Sequence, residues 1–178
     1  MHLNNHFSLL SKIFQLLFIG LIFTGCKSNS ASTAYDQKQI AMMLDSFNQA
    51  AARADYAGYF NYYTSDAIFI GTDATERWDK EHFMVWAKPY FDKGKAWNFK
   101  SIDRHIYIDE SKNMAWFDEL LNTQMKICRG SGVVVKKDNE WKIQQYVLSM
   151  TMPNNQIVEA LKLKTPMEDS IINTLTAK

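Results

Sequence analysis

Residues 114–154 read MAWFDELLNTQMKICRGSGVVVKKDNEWKIQQYVLSMTMPN, and the rhythm of this stretch decides the fold. Residues 114–123, 127–137 and 140–152 are three runs rich in β-branched, aromatic and large apolar side chains, separated by short polar breaks, which is how strands are composed. The tightest break, Lys137-Asp138-Asn139-Glu140, puts Asp and Asn where a two-residue primed hairpin turn demands positive φ. The stretch is therefore expected to be an antiparallel meander. Period-two alternation places Trp141, Ile143, Gln145, Val147 and Ser149 on one face of the last strand, and Lys142, Gln144, Tyr146, Leu148 and Met150 on the other. Both faces carry apolar residues, so both need covering. One should carry the chain's own helices, and the other, the face of Tyr146, Leu148 and Met150, a second subunit.

Upstream of the meander the periodicity changes. From Asp36, residues Ile40, Met43, Leu44, Phe47, Ala50, Ala51 and Ala54 recur at three- and four-residue spacing, which predicts an amphipathic helix, with Thr33 and Asp36 as its capping box. The cluster Tyr56, Tyr59, Phe60, Tyr62 and Tyr63 suggests a short second helix. Residues 67–71 form a short buried strand, and residues 75–78 a second one. Asp79 then reads as the N-cap of a helix with Phe83, Trp86, Ala87, Tyr90 and Phe91 on one face, kinked at Pro89 or ended soon after it. Residues 97–109 read as a long strand. After Pro153, a short helix from Asn154 and a second one begun at Thr165-Pro166 close the chain.

At the N-terminus, Lys12 precedes an apolar run over residues 13–23 and then Thr24-Gly25-Cys26. The run is shorter than the ~18 residues that span a bilayer, so it reads as a cleaved signal, residues 1–25. Phe23-Thr24-Gly25-Cys26 resembles the lipobox of bacterial lipoproteins, which implies acylation of Cys26 and a lipid-anchored protein facing the periplasm from the cell envelope. Residues 26–35, small and polar, read as anchor and flexible tether. The remaining cysteine, Cys128, then has no disulfide partner. Loss of residues 1–25 removes Lys12 and no acid, leaving 19 basic against 19 acidic residues. A neutral chain without a basic run is not expected to bind nucleic acid. After the signal only His82 and His105 remain as histidines, and neither has metal-ligand spacing, so no metal or cofactor is expected.

The element order, helices and short strands followed by long antiparallel strands, indicates an α+β domain, placed at residues 36–163 with a C-terminal helix or tail at 164–178. Residues 71–76 (GTDATE), 116–119 (WFDE), 129–136 (RGSGVVVK) and 141–154 together resemble the SnoaL-like branch of the nuclear transport factor 2 superfamily. The resemblance implies a cone-shaped, curved antiparallel sheet wrapped around N-terminal helices, with a pocket at the open end and frequent homodimers. Members include isomerases, cyclases, dehydratases, association domains and proteins of no known activity, so the resemblance implies a pocket without naming a reaction.

Chemistry in such a cone would need a base in an apolar setting and a donor for a developing oxyanion. Ketosteroid isomerase, of similar fold, uses two Asp residues and a Tyr. Here Asp118 is the candidate base and Glu119 lies on the opposite strand face; alternation lets only one of them reach the pocket. A structural ion pair with Arg129 is the stronger reading for such a carboxylate, and a carboxylate with a guanidinium can also hold a polar ligand. Candidate ligand-binding residues are Tyr63, Trp78, Trp116, Glu119, Arg129 and Gln145. Related sequences often carry His where this one has Val147, which removes an acid/base group. Three functions follow as expectations: a membrane-anchored domain binding a small organic ligand, a lyase or isomerase with a strand carboxylate as base, or a non-catalytic dimeric interaction module.

Overall fold

The computed structural model describes residues 28–177. The expected signal peptide and the expected lipidation of Cys26 lie outside the described residues. The elements are α1 (Ser28–Ala52), α2 (Tyr56–Asn61), β1 (Tyr63–Ile70), β2 (Arg77–Asp79), α3 (Lys80–Asp92), β3 (Lys100–Ile108), β4 (Met114–Thr123), β5 (Lys126–Lys137), β6 (Glu140–Met150), a 3-10 turn (Asn154–Gln156) and α4 (Ile157–Thr176). One six-stranded sheet runs in the order β2-β1-β6-β5-β4-β3. It is mixed rather than wholly antiparallel, because β1 lies parallel to β6.

The expected helix is present, with Ile40, Leu44, Phe47, Ala50 and Ala51 buried, but the chain is already helical at Ser28, well ahead of Asp36. Residues 28–35, read as part of a tether, are helical and belong to α1, and Thr33 and Asp36 sit inside the helix rather than capping it. Once a helix is nucleated, small residues such as Ala and Ser extend it at one hydrogen bond each. Asp36 instead pairs with Lys136 at 2.8 Å, and Lys112 donates to Ser32 at 3.3 Å. These contacts lay the first turns of α1 against the end of the sheet where β3 turns into β4. α1 ends on Ala54, whose φ is +55°; Asp55 N–H reaches Ala50 and Ala54 N–H reaches Ala51, both at 2.9 Å. That is a Schellman closure made without glycine.

The β5–β6 hairpin turns as expected, with positive φ at Asp138 and Asn139. The alternation along β6 does not survive. Val133 pairs with Gln145 while Val134 pairs with Ile143, so Gln144 is an extra residue, a β-bulge that turns the strand over. Trp141 and Ile143 face inward before it, and Tyr146 and Leu148 face inward after it, all buried. The expected dimer face of Tyr146, Leu148 and Met150 is thereby split, with its first two members in the core. Gly132 lies opposite Tyr146 at this kink, where a Cβ would collide with the Gln145 carbonyl oxygen.

The hollow of the sheet holds α1, α2 and α3 over one core that includes Phe47, Tyr59, Phe83 and Tyr146. The two expected C-terminal helices are a single one, α4, running through Pro166. Ile157, Leu161, Ile171 and Leu175 are in helical phase across the proline, and pairs Glu159–Lys162 and Lys164–Glu168 flank it.

Candidate functional site

The inner face of β4 carries Ala115, Phe117, Glu119, Leu121 and Thr123, all buried. Glu119 is therefore the inward carboxylate, and Asp118 is half-buried on the outer face. β3 supplies the partner of Glu119: Arg104 stands directly opposite, donates from Nε to the Glu119 Oε2 at 2.8 Å, and holds one terminal nitrogen in ion-pair contact with the same oxygen at 2.7 Å. Arg104 also binds the Ala41 carbonyl at 2.9 Å and Asp45 at 2.9 Å, tying α1 to the sheet. An inner ion pair thus exists, made by Arg104 rather than Arg129, which is exposed. Burial pushes the Glu119 carboxyl up, and the Arg104 guanidinium opposes that shift. The other carboxylate oxygen of Glu119 faces the Tyr146 hydroxyl, so the pair is charge-assisted through a single oxygen.

Beside this pair lies a cavity of about 230 Å³. Phe47, Tyr59, Phe83 and Tyr146 form its floor, Phe69, Trp97 and Phe99 its walls, and Thr72, Glu76, Trp86, Tyr90, Gln124 and Met125 its rim. The chain comes together here for local reasons: Asp79 caps α3 by accepting the His82 amide at 2.9 Å, which sets the helix turning Phe83 inward and Trp86 to the rim. Several rings share one orientation. Phe69 stacks on Phe83 at 3.9 Å and 10°, lies 1° from the plane of Tyr146, and Trp97 lies 18° from Phe83.

The polar groups in this floor are phenols. Tyr59 and Tyr63 share a hydrogen bond at 3.2 Å, and the Trp97 ring stands edge-on to Tyr59 at 5.3 Å. Tyr146 donates toward Glu119 at 3.5 Å, in space kept by Gly130, whose Cβ would come within 2.6 Å of that hydroxyl. Burial raises all three tyrosine pKa values, so these hydroxyls stay neutral and act as hydrogen-bond donors or acceptors. Among the described residues no three of His, Cys, Asp or Glu cluster as metal ligands.

The sequence-derived candidates divide. Tyr63, Trp78 and Glu119 lie around the cavity without lining it: Tyr63 through Tyr59, Trp78 by stacking on Trp86 at 4.8 Å, and Glu119 behind Tyr146. Trp116, Asp118, Arg129 and Gln145 lie on the outer sheet face, where Trp116 stacks on Tyr107 at 5.7 Å and Gln145 is carried by the bulge. Asp118 as base for the cone would have to act through the sheet. Tyr59, Trp97 and Tyr146 were not singled out. Tyr59 was visible only as one of five clustered aromatics, Trp97 sits in a connection, and the bulge put Tyr146 on the unexpected side.

Residues 40–153 match the family model of the SnoaL-like domain. The chain belongs to the SnoaL-like domain family. No curated protein matches this SnoaL-like chain significantly. Among solved structures, a Mycobacterium tuberculosis protein of unknown function is 13% identical with TM-score 0.60, covering 74% of this chain and 81% of that one. A nuclear-transport-factor-2-like protein of unknown function from Pseudomonas putida is 12% identical with TM-score 0.58, covering 70% and 92%. A cystatin-like-fold protein of unknown function from Nostoc punctiforme is 14% identical with TM-score 0.55, covering 66% and 92%. At these identities the likeness of the SnoaL-like chain to its neighbours is one of fold.

Proposed function

We propose that this SnoaL-like chain binds a small organic molecule with a flat, uncharged ring in the cone cavity, and that it does so as a lipid-anchored, periplasm-facing domain of the bacterial cell envelope. The supporting observation is the cavity itself: about 230 Å³, walled by similarly oriented aromatic rings, with neutral phenols in its floor. That volume lies below the usual ~300–1,000 Å³ of drug-sized sites, which favours one or two rings. Binding is favoured over turnover because the inward carboxylate, Glu119, is already engaged by Arg104. A lyase or isomerase route needs a free base on the wall. Glu76 at the rim is the carboxylate in the lining, and its Oε2 accepts the Asp73 amide at 3.2 Å. The anchor at Cys26 rests on the lipobox resemblance. A homodimer in this reading uses the outer sheet face, where Ile102, Tyr107 and Trp116 are each about half exposed.

Two measurements on residues 27–178 test the reading. Native mass spectrometry is expected to give a dimer that retains extra mass. Titration with phenol is expected to quench tryptophan fluorescence saturably, with affinity about tenfold weaker in Trp97→Ala. A monomer without retained mass and without saturable quenching would sink the proposal.

A further inference from the structure

A second hollow, of about 610 Å³, lies between α4 and the end of the sheet. One wall is the apolar side of α4, with Ile157, Leu161, Met167 and Ile171; the other is Met150 and Met152. α4 has no buried residue, and Met167 stays 72% exposed although it lines the hollow. The helix therefore stands off its own body, leaving two apolar walls facing each other across a space of ligand size.

This hollow adjoins the cone cavity. Thr72 lines both. Along β6 the lining passes from Leu148 in the cavity to Ser149 and Met150 in the hollow, and along the β1–β2 loop from Gly71 to Asp73. The chemistry of the two compartments differs. The cavity offers rigid rings and hydroxyls, while the hollow offers unbranched methionines that repack around a flexible apolar chain. Lys164, which also lines the hollow, is engaged by Glu168 at 3.1 Å, so the polar end of a ligand belongs in the cavity.

We propose that α4 and the end of β6 form a second compartment of the binding site, taking the linear apolar tail of a ligand whose ring occupies the cone. The ligand class is an alkyl-substituted ring rather than a bare one. This rests on the cone cavity being a binding site, and the test separates the two claims.

The test is calorimetric titration of residues 27–178 with phenol and with para-alkylphenols of increasing chain length. Affinity is expected to tighten by about fourfold per added methylene until the hollow is filled. Leu161→Asp, and Met150→Asp from the facing wall, flatten that climb. Val158→Asp, on a residue 66% exposed and outside the lining, leaves it as in the parent. A flat series with phenol still binding overturns the tail compartment and leaves the cone reading standing. Failure of every member to bind overturns both. A climb that survives both Leu161→Asp and Met150→Asp puts the tail elsewhere and overturns the proposal.

Discussion

Glu119 and Arg104 show how one residue's environment decides its role. Glu119 is 1% exposed, so Arg104→Met leaves an uncompensated buried carboxylate, expected to cost about 3–5 kcal/mol in urea denaturation. Glu119→Leu added to Arg104→Met should recover most of that loss. The variant also reports the sign of the linkage. Burial raises the folded-state pKa of Glu119, so the folded form holds the proton more tightly than the unfolded chain. The contribution is fully present below the unfolded value of about 4.3 and is lost as pH rises through the folded value. Without Arg104 opposing it, that loss should be larger and reach to higher pH, with the Arg104→Met urea midpoint falling more than the parent's between acid and neutral pH. The sequence showed that Asp118 and Glu119 face opposite ways. It did not show which faces in, since Trp116 and Leu120 make the outer face nearly as apolar as the inner one.

At the scale of elements, most of the fold was legible where local chemistry sets geometry. Asp138 and Asn139 turn as expected, and Asp79 caps α3. The reading failed at β6 because a bulge has no period-two signature. One extra residue at Gln144 reversed every later side chain, moving Tyr146 into the cavity floor and Gln145 out of it. Two element ends give direct tests. Ala54 closes α1 at φ +55°, a conformation that costs an L-residue with a Cβ, so Ala54→Gly should stabilise the protein by about 1 kcal/mol, read as a higher urea midpoint. The His82 amide and then its ring hold the Asp79 carboxyl below its ordinary value. The cap's stabilisation is therefore present above the unfolded pKa and lost as pH falls through the depressed folded value. Asp79→Ala should lower the melting temperature at neutral pH, and the gap from the parent should close in strong acid.

For the whole molecule, the order of helices and strands was readable, while the cavity depends on contacts between distant segments. Phe47, Phe83, Trp97 and Tyr146 meet only once the sheet has curled over three helices. α4 stands apart from this core, so ending the chain at Gln156 should move the urea midpoint by less than about 1 kcal/mol equivalent, a size typical of changes that touch no buried group. A larger loss would mean that α4 braces the sheet. The start of α1 also has a consequence for bearing. Ser32 touches Lys112 in the β3–β4 turn and Asp36 touches Lys136 on the neighbouring β5, whereas Gln124, in the lining of the cavity, lies past the far end of β4. Ten residues of strand put about 30 Å between them. With a stiff helix running from Ser28, a chain held by its first described residues would carry the cavity on the side away from the hold, as a cup sits on its stem.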